Sequence, residues 1–353
     1  MAPSGAIVLS PTLSNAALTA AGFLPLVTIT TNINLAGASW TEATSAAGWP
    51  GRDNFSAVAY NGRMWVLGGE VAENWTDASD VWSSADGTNW VEATSAAGWG
   101  LRSYWASVVF NGKIWTLGGL QGCSTCWMHD VWSSSDGTNW TEMTSAAGWS
   151  PRQEFGAMVF NGKMWVMGGN SASGFLSDVW SSSDGTNWTQ VTGSAPWGPR
   201  FGFGALAFNG QMWVVGGHDN SGALSDVWSS SDGTNWTEVT SAAGWSARYL
   251  QNEVTAFNGS IWVMGGQGLQ DVWSSPDGTN WTEATSSATW TGRSSFVALV
   301  FNDALWMMGG QPVYGTYLDD VWYTTALTTT NITSTYTSVS PTTNSTFYLY
   351  QKQ

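Results

Sequence analysis

The feature that most constrains the fold is a phrase that recurs along most of the chain. DVWSSSDGTNW stands at 130–140, and the leading Asp of its six copies is spaced by 50, 48, 48, 45 and 49 residues. Two further phrases keep step with it, one like NGRMWVLGG (61–69) and one of the form Trp-x-x-Arg. Six copies at a period near fifty residues predict a closed ring of four-stranded β-sheets.

The pattern within a repeat predicts where its four strands lie. Strand a follows the Arg, as in EFGAMVF (154–160), and an Asn-Gly turn leads into strand b, KMWVMGG. A variable loop precedes strand c, and the Asp-Gly-Thr-Asn turn leads to strand d. The last repeat ends at DVWYTTA (320–326), whereas ASWTEATSAAGW (38–49) is a strand d alone. We therefore expect the N-terminal segment to complete the sixth sheet and close the ring.

These phrases resemble a known family. The Gly-Gly doublet after an apolar strand, the Asp-Val-Trp onset and the later Trp are similar to kelch repeats. The resemblance implies an all-β, six-bladed β-propeller at 37–326, between a β-prone extension at 1–36 and a Thr-rich, β-prone tail at 327–353. It implies little about function, because kelch propellers include enzymes, adhesins and peptide-binding modules.

The charge of the chain narrows its partners. The net charge is −15 with a pI near 4.2, so we expect neither nucleic acid nor an anionic membrane surface to bind. No stretch has the apolar length of a membrane-spanning helix. The first 35 residues lack Lys and Arg and do not resemble a secretory signal peptide. We expect that a signal was removed or that the natural start lies elsewhere.

Tryptophan is the most distinctive residue type, and 24 of the 27 Trp recur at four repeat positions. We predict that those in strands b, c and d fill the wedges between blades. We predict the same role for the Trp before each Arg. The alternative is a platform on which sugars stack. Trp75, Trp105 and Trp127 fall outside the pattern and are predicted to be exposed.

The sequons and the two cysteines indicate an extracellular glycoprotein. The predicted turns place several sequons on one face of the ring, where glycans would be exposed. Cys123 and Cys126 are predicted to form a local disulfide, rather than a redox pair or half of a zinc site. The candidate N-glycosylation sites are Asn54, Asn74, Asn139, Asn187, Asn235, Asn258, Asn280, Asn331 and Asn344.

An Arg ring and an Asp ring are predicted on the opposite face, where strand a begins. They could bind an anion or an acidic peptide, but equal repetition in six blades favours structural pairs that tie blade to blade. The Arg ring comprises Arg52, Arg102, Arg152, Arg200, Arg248 and Arg293. The Asp ring comprises Asp80, Asp130, Asp178, Asp226, Asp271 and Asp320.

Catalysis finds little support in the sequence. His129 and His218 are the two histidines, so we expect no metal centre and no cofactor. A glycosidase built on paired carboxylates stays open, although no asymmetric pair stands out. The variable b–c loops are where a ligand site is expected. The candidate ligand residues are Trp75, Trp127, His129, His218, Tyr314 and Tyr317.

The tails carry three segments that are predicted as strands: AIVLS (6–10), LVTITTNINL (26–35) and STFYLYQ (345–351). They could add to a neighbouring subunit and give a head-to-tail filament, or fold back on their own chain. We expect a non-catalytic, secreted building block of a cell surface or matrix, and a filament subunit joined through its tails is one form of it. The alternatives are a carbohydrate-binding lectin or adhesin, and then a glycan-active enzyme.

Overall fold

The structure is a computed structural model that describes residues 36–71 and 76–325, and the backbone of four short strands in the tails. The chain divides into two compact units, Leu35–Ala326 and the two tails together. The larger unit is the predicted all-β propeller with six four-stranded antiparallel blades. It begins at Leu35 instead of the predicted residue 37. The described residues include no helix long and apolar enough to cross a membrane.

The four strands of each blade follow the predicted order from the axis outward. Strand a spans Ser56–Tyr60, Ala106–Phe110, Gly156–Phe160, Gly204–Phe208, Val254–Phe257 and Val297–Phe301 in blades 1 to 6. Strand b spans Arg63–Val71, Lys113–Leu120, Lys163–Ser171, Gln211–Asp219, Ser260–Met264 and Ala304–Met308. Strand c spans Thr76–Ser84, Trp127–Ser134, Gly174–Ser182, Gly222–Ser230, Val272–Ser275 and Val321–Thr325. Strand d spans Val91–Thr94, Thr141–Thr144, Thr189–Thr192, Thr237–Thr240, Thr282–Thr285 and, for blade 6, Thr41–Thr44.

Strands b and c of blades 1 to 4 run past the Gly-Gly doublet. In blade 3 the register shifts between Met167 and Gly169, and both glycines have positive φ, a backbone region that other residues rarely adopt. Beyond this bulge the b–c hairpin continues above the ring. A short inner strand then pairs with it in two blades: Arg52–Asp53 in blade 1, and Arg293–Ser294 with Gln311–Pro312 in blade 6.

The core consists of six apolar clusters, one between each pair of adjacent blades. Between blades 1 and 2, for example, Trp65 and Leu67 pack with Trp99 and Ile114. Five of the six strand-b Trp lie against the Gly of a neighbouring Asp-Gly turn, and the sixth, Trp262, lies against Gly37. A Cβ on Gly137, for example, whose φ is +75°, would stand 2.1 Å from the Trp65 ring. The repeated turn is therefore part of the blade-to-blade packing.

The N-terminal strand closes the ring, as predicted. Thr41–Thr44 pairs with Val321–Thr325 as strand d of blade 6. The Gly37 N–H donates to Thr324 Oγ1 at 3.1 Å, just as Gly87 donates to Ser84 Oγ at 2.8 Å in blade 1. The two chain ends thus rebuild across the break a hydrogen bond that the other blades make within one turn.

The second unit contains two short pairings between the tails. Phe23–Leu24 pairs with Thr337–Ser338, and Ile33–Asn34 pairs with Thr328–Thr329, both antiparallel. Among the predicted tail strands, the segment 26–35 contains Ile33–Asn34. The segments 6–10 and 345–351 lie outside the described residues.

Candidate functional site at the b–c loop face

The Arg and Asp rings form six buried clamps. In each blade the two guanidinium NH groups donate to the two carboxylate oxygens of the ring Asp at 2.5–2.8 Å. The Arg side chains are 0–4% exposed. Each Asp also accepts the indole N–H of the strand-c Trp at 2.7–2.8 Å. The clamps leave these charges little capacity for a ligand.

The clamps join strands within a blade, which corrects the expectation that they tie blade to blade. Arg52 and Asp80 belong to the same sheet, and Arg52 also donates to the Gly68 carbonyl of that blade at 2.7 Å. The link between blades comes instead from the arginine backbone, since the Arg102 carbonyl accepts the Gly69 N–H of blade 1 at 2.8 Å.

Tryptophans before the Arg are the most deeply buried of the repeated set, at 0–3% exposure. A guanidinium lies over several of them, such as Arg152 above Trp149 at 5.7 Å. Trp105 was predicted to be exposed and is 1% exposed. The prediction is wrong because Trp105 occupies the place of Phe155 in blade 3 and packs on Trp99, with ring centroids 4.4 Å apart.

Inside the clamps, a circuit of backbone hydrogen bonds runs around the axis. The second residue after each Arg donates its N–H to the carbonyl of its counterpart in the neighbouring blade, at 2.7–3.2 Å. The circuit passes through Ser295, Asn54, Tyr104, Glu154, Gly202 and Leu250. Blade 5 has one extra residue, and there the Glu253 carboxylate accepts the Ser295 N–H at 2.9 Å in place of a carbonyl. Burial raises the pKa of Glu253 to about 7.

A second buried acid lies on the same circuit. The Tyr249 hydroxyl donates to Glu154 Oε1 at 2.5 Å, reaching from blade 5 to blade 3 across Gly202 of blade 4. A Cβ on Gly202 would stand 2.0 Å from the Tyr249 ring, and φ there is +56°. The contact therefore requires glycine at that position. Burial raises the pKa of Glu154 to about 7, and the Tyr249 hydrogen bond opposes the shift.

Above the circuit, one row of side chains per blade differs from blade to blade. We call it the rim row: the residue after the Arg, its partner at the end of strand b, and the next partner on strand c. The rows are Asp53–Glu70–Asp77 in blade 1, Ser103–Leu120–Trp127 in blade 2, Gln153–Asn170–Phe175 in blade 3 and Phe201–His218–Ala223 in blade 4. The sixfold symmetry ends at these positions.

The rim row of blade 1 consists of three acids. Because Asp53 lies directly opposite Glu70, and Glu70 directly opposite Asp77, their Cβ atoms are about 5 Å apart along one face. Burial, followed by the charge of Glu70, raises the pKa of Asp53 to about 8, and a hydrogen bond with Asn54 opposes this shift. The charge of Asp77 adds a smaller increase. Sequence reasoning missed this asymmetric carboxylate group.

An aromatic cluster marks blades 3 to 5 on the same face. Phe201 contacts Phe175, His218 and Tyr249, with ring centroids at 4.5, 5.3 and 5.8 Å, and all four side chains are half-buried. The b–c loop face thus carries carboxylates at blade 1 and aromatic rings at blades 3 to 5. On the axis below lies a cavity of about 140 Å³, lined by small strand-a residues such as Ala57 and Gly156.

The five predicted ligand residues that the structure describes lie in three different blades. Trp75 lies outside the described residues. Trp127 and His129 are half-buried in blade 2, where His129 Nδ1 lies 2.9 Å from the Trp149 carbonyl. His218 belongs to the aromatic cluster. In blade 6, Tyr314 is 91% exposed, whereas Tyr317 is 7% exposed and its hydroxyl donates to Glu70 at 3.0 Å.

The cysteines and the sequons are placed as follows. Cys123 and Cys126 form a disulfide in the b–c loop of blade 2. Asn139, Asn187, Asn235, Asn258 and Asn280 are exposed at turns on the face opposite the b–c loops. Asn54 is 4% exposed, so a glycan at this position does not fit the folded propeller. Asn74, Asn331 and Asn344 lie outside the described residues.

Chemistry on this face is that of carboxylates, phenols and aromatic rings. The part of the chain that the structure describes contains no group of three His, Cys, Asp or Glu side chains arranged to hold a metal ion. The conserved geometry of the clamps serves the fold. The rim rows are therefore the best candidates for recognition.

Comparison with known proteins agrees with the architecture. The family described as Kelch motif matches residues 199–229, which run from just before Arg200 through strands a, b and most of c of blade 4. No curated protein matches the chain. With the same phrase in all six blades of a closed ring, the chain is a kelch-repeat β-propeller.

Proposed function

We propose that this propeller is a non-catalytic, secreted building block of a cell surface or extracellular matrix. The observation that supports this most directly is the use of all six ring Arg and ring Asp side chains in buried clamps. Because these charges are paired with each other, they are not available to a substrate or an anion. The disulfide between Cys123 and Cys126 agrees with an oxidising compartment.

This proposal includes glycosylation of the turn face, which is the face opposite the b–c loops that carries the exposed turn sequons. The Asn139 amide donates to Asp136 Oδ2 at 2.8 Å, and Asn89 makes the same contact at 2.9 Å in a turn that lacks a sequon. The Asn therefore has a structural role of its own. A glycan test must leave it in place and change the sequon Thr instead.

We expect the protein from a secretory host to lose mass on treatment with a peptide N-glycosidase. Thr141→Val should remove one glycan, because it destroys the sequon of Asn139 and keeps the Asn–Asp contact. Val91→Thr, which creates a sequon at Asn89, is the matched gain-of-glycan control. An unchanged mass for wild type and both variants would contradict glycosylation of the turn face.

Assembly through the tails is the second part of the proposal. The two pairings between the N-terminal and C-terminal tails use backbone partners that a neighbouring copy could supply equally well, as in domain swapping. Where such an exchange runs head-to-tail and does not close, it produces filaments. We expect light scattering and negative-stain microscopy to detect filaments of the full chain and monomers after deletion of residues 1–34. Monomers in both samples would contradict polymerisation.

Carbohydrate binding is a second candidate, favoured by the aromatic cluster around Phe201. Half-buried rings suit a sugar, whose apolar face stacks on them, and the Glu154 carboxyl that accepts from Tyr249 lies next to the cluster. We expect Phe201→Ala to abolish any signal on a glycan array and Phe208→Ala, at the far end of the strand that follows Phe201, to retain it. An array without signal for wild type would contradict this candidate.

A further inference from the structure

The acidic rim row of blade 1 has no counter-charge among the described residues. The six ion pairs of that part of the chain all use the ring Arg and ring Asp. Three of the four other basic residues, Arg63, Lys113 and Lys163, begin strand b at the opposite end of their blades. The repulsion within the row is therefore uncompensated, although carboxylates directly opposite on a sheet destabilise it.

Two buried acceptors in the same place lack partners. Asp53 is 2% exposed and Asn54 is 4% exposed, and Oδ1 of each accepts no hydrogen bond from the residues that the structure describes. The Asn54 side chain hydrogen-bonds to Asp53, so its amide belongs to the row. Burying an acceptor without a donor destabilises the folded state, which indicates that a donor from outside completes the row.

We infer that the rim row Asp53–Glu70–Asp77, with Asn54, is a binding site for a guanidinium or ammonium group. Such a group supplies both missing features, a positive charge and several N–H donors. The half-buried Tyr104 and the Tyr317 hydroxyl on Glu70 border the row and add aromatic and polar contacts. This site is independent of assembly through the tails.

The spacing favours an extended organic cation over a metal ion. The three acids lie on three adjacent strands, so the row spans about 10 Å from the first strand to the third. The carboxylates do not converge, in agreement with the lack of any three-residue metal group in the described chain. A planar guanidinium can bridge two oxygens side by side, and a diamine can reach the third.

We propose to test the site by calorimetry at low ionic strength and pH 8, with agmatine, Nα-acetyl-arginine N-methylamide and calcium chloride as probes. We expect agmatine to bind and release protons, since the cation favours ionised Asp53. Its affinity should fall by up to about tenfold per pH unit below the pKa of Asp53. Binding of the arginine derivative as well would identify the natural ligand as a basic side chain, and binding of agmatine alone as a free amine. Heat from calcium alone, or from no probe, would overturn the assignment.

Variants separate a binding role from a structural one. Asp53→Asn and Glu70→Gln keep shape and hydrogen-bonding oxygens but remove charge. We expect each to weaken agmatine at least about tenfold and to raise the melting temperature of the free protein, because repulsion is relieved. Glu92→Gln, an exposed acid on strand d of the same blade, is the control and should change neither. Variants that lower the melting temperature and bind agmatine as wild type does would show that the row is structural.

Discussion

Glu253 shows how one side chain can repair an irregular repeat. The turn Asn follows the ring Arg by ten positions in blade 5 and by nine positions in the other blades. The extra residue moves the carbonyl that should accept the Ser295 N–H. The Glu253 carboxylate takes over and also accepts the Asn252 N–H at 2.8 Å. The buried Glu253, directly before strand a of blade 5, therefore has a specific structural role.

The raised pKa values of Glu253, Glu154 and Asp53 predict that stability falls as the pH rises. Each group binds its proton more tightly in the folded state, so its contribution is complete below pH 4 and is lost as the pH passes about 7 to 8. We expect the free energy of unfolding in urea to decrease from pH 5 to pH 8. Glu253→Gln should reduce this slope by up to about 1.4 kcal/mol per pH unit. A slope unchanged in that variant would show that Glu253 titrates normally.

The structural role of a residue was predictable where the same residue recurs in all six repeats. The ring Arg and ring Asp could be paired from their place at the same ends of strands a and c. The rim rows could not be predicted, because register across a b–c loop of variable length decides which residues lie opposite. Aligning the residue after each Arg with the one after each Gly-Gly would have exposed Asp53 and Glu70 as the acidic exception.

At the scale of the element, the c–d turn is a small self-contained unit. Asp136 Oδ1 accepts the N–H groups of Thr138 and Asn139 at 2.9 and 2.7 Å. These hydrogen bonds to the ionised form, with that of the Asn139 side chain, hold the pKa of Asp136 at about 2. The turn was predictable from its amino-acid sequence, since Asp, Gly and Asn are the residues that tight turns favour. Its role against the neighbouring blade needed the structure.

The clamps predict equal behaviour in different blades. Arg152→Ala leaves the buried carboxylate of Asp178 and the Gly168 carbonyl without their donor, so we expect a loss of about 3–5 kcal/mol in the free energy of unfolding. The same change at Arg248 should cost the same within about 1 kcal/mol, because the two clamps make the same contacts. Arg248 Nε and NH2 donate to Ser246 as those of Arg152 donate to Ser150, and NH1 donates to the Gly265 carbonyl. Urea unfolding of both variants measures this. A much smaller loss in one blade would indicate that its Arg serves a ligand instead.

At the scale of the whole molecule, the ring depends on a strand from the far end of the chain. Number of blades, strand order and closure were all predictable, because a repeat that lacks its last strand must find it elsewhere. The place of Ala36 was not, since it looks like a tail residue but is buried in the propeller. Gly37 is needed because a Cβ there would stand 2.4 Å from the Trp262 ring.

Two deletions test the closure. Removal of residues 1–34 should leave the propeller intact, whereas removal of residues 1–44 takes away strand d of blade 6 and uncovers Trp322 and Trp290. We expect the longer deletion to abolish the cooperative unfolding transition or to cause aggregation. Thermal unfolding followed by tryptophan fluorescence distinguishes the two. Equal melting temperatures would mean that blade 6 is stable with three strands.

Strands c and d of blade 6 come from opposite ends of the propeller sequence, and this determines when the ring can close during synthesis. Thr41–Thr44 is synthesised before the other strands of the ring and must wait for its partner Val321–Thr325, which belongs to the last blade. Until Val321–Thr325 has been synthesised, five blades form an open arc with an exposed edge on each side. A chain that stops prematurely before strand c of blade 6 cannot close, and quality control has an unambiguous signal of incompleteness.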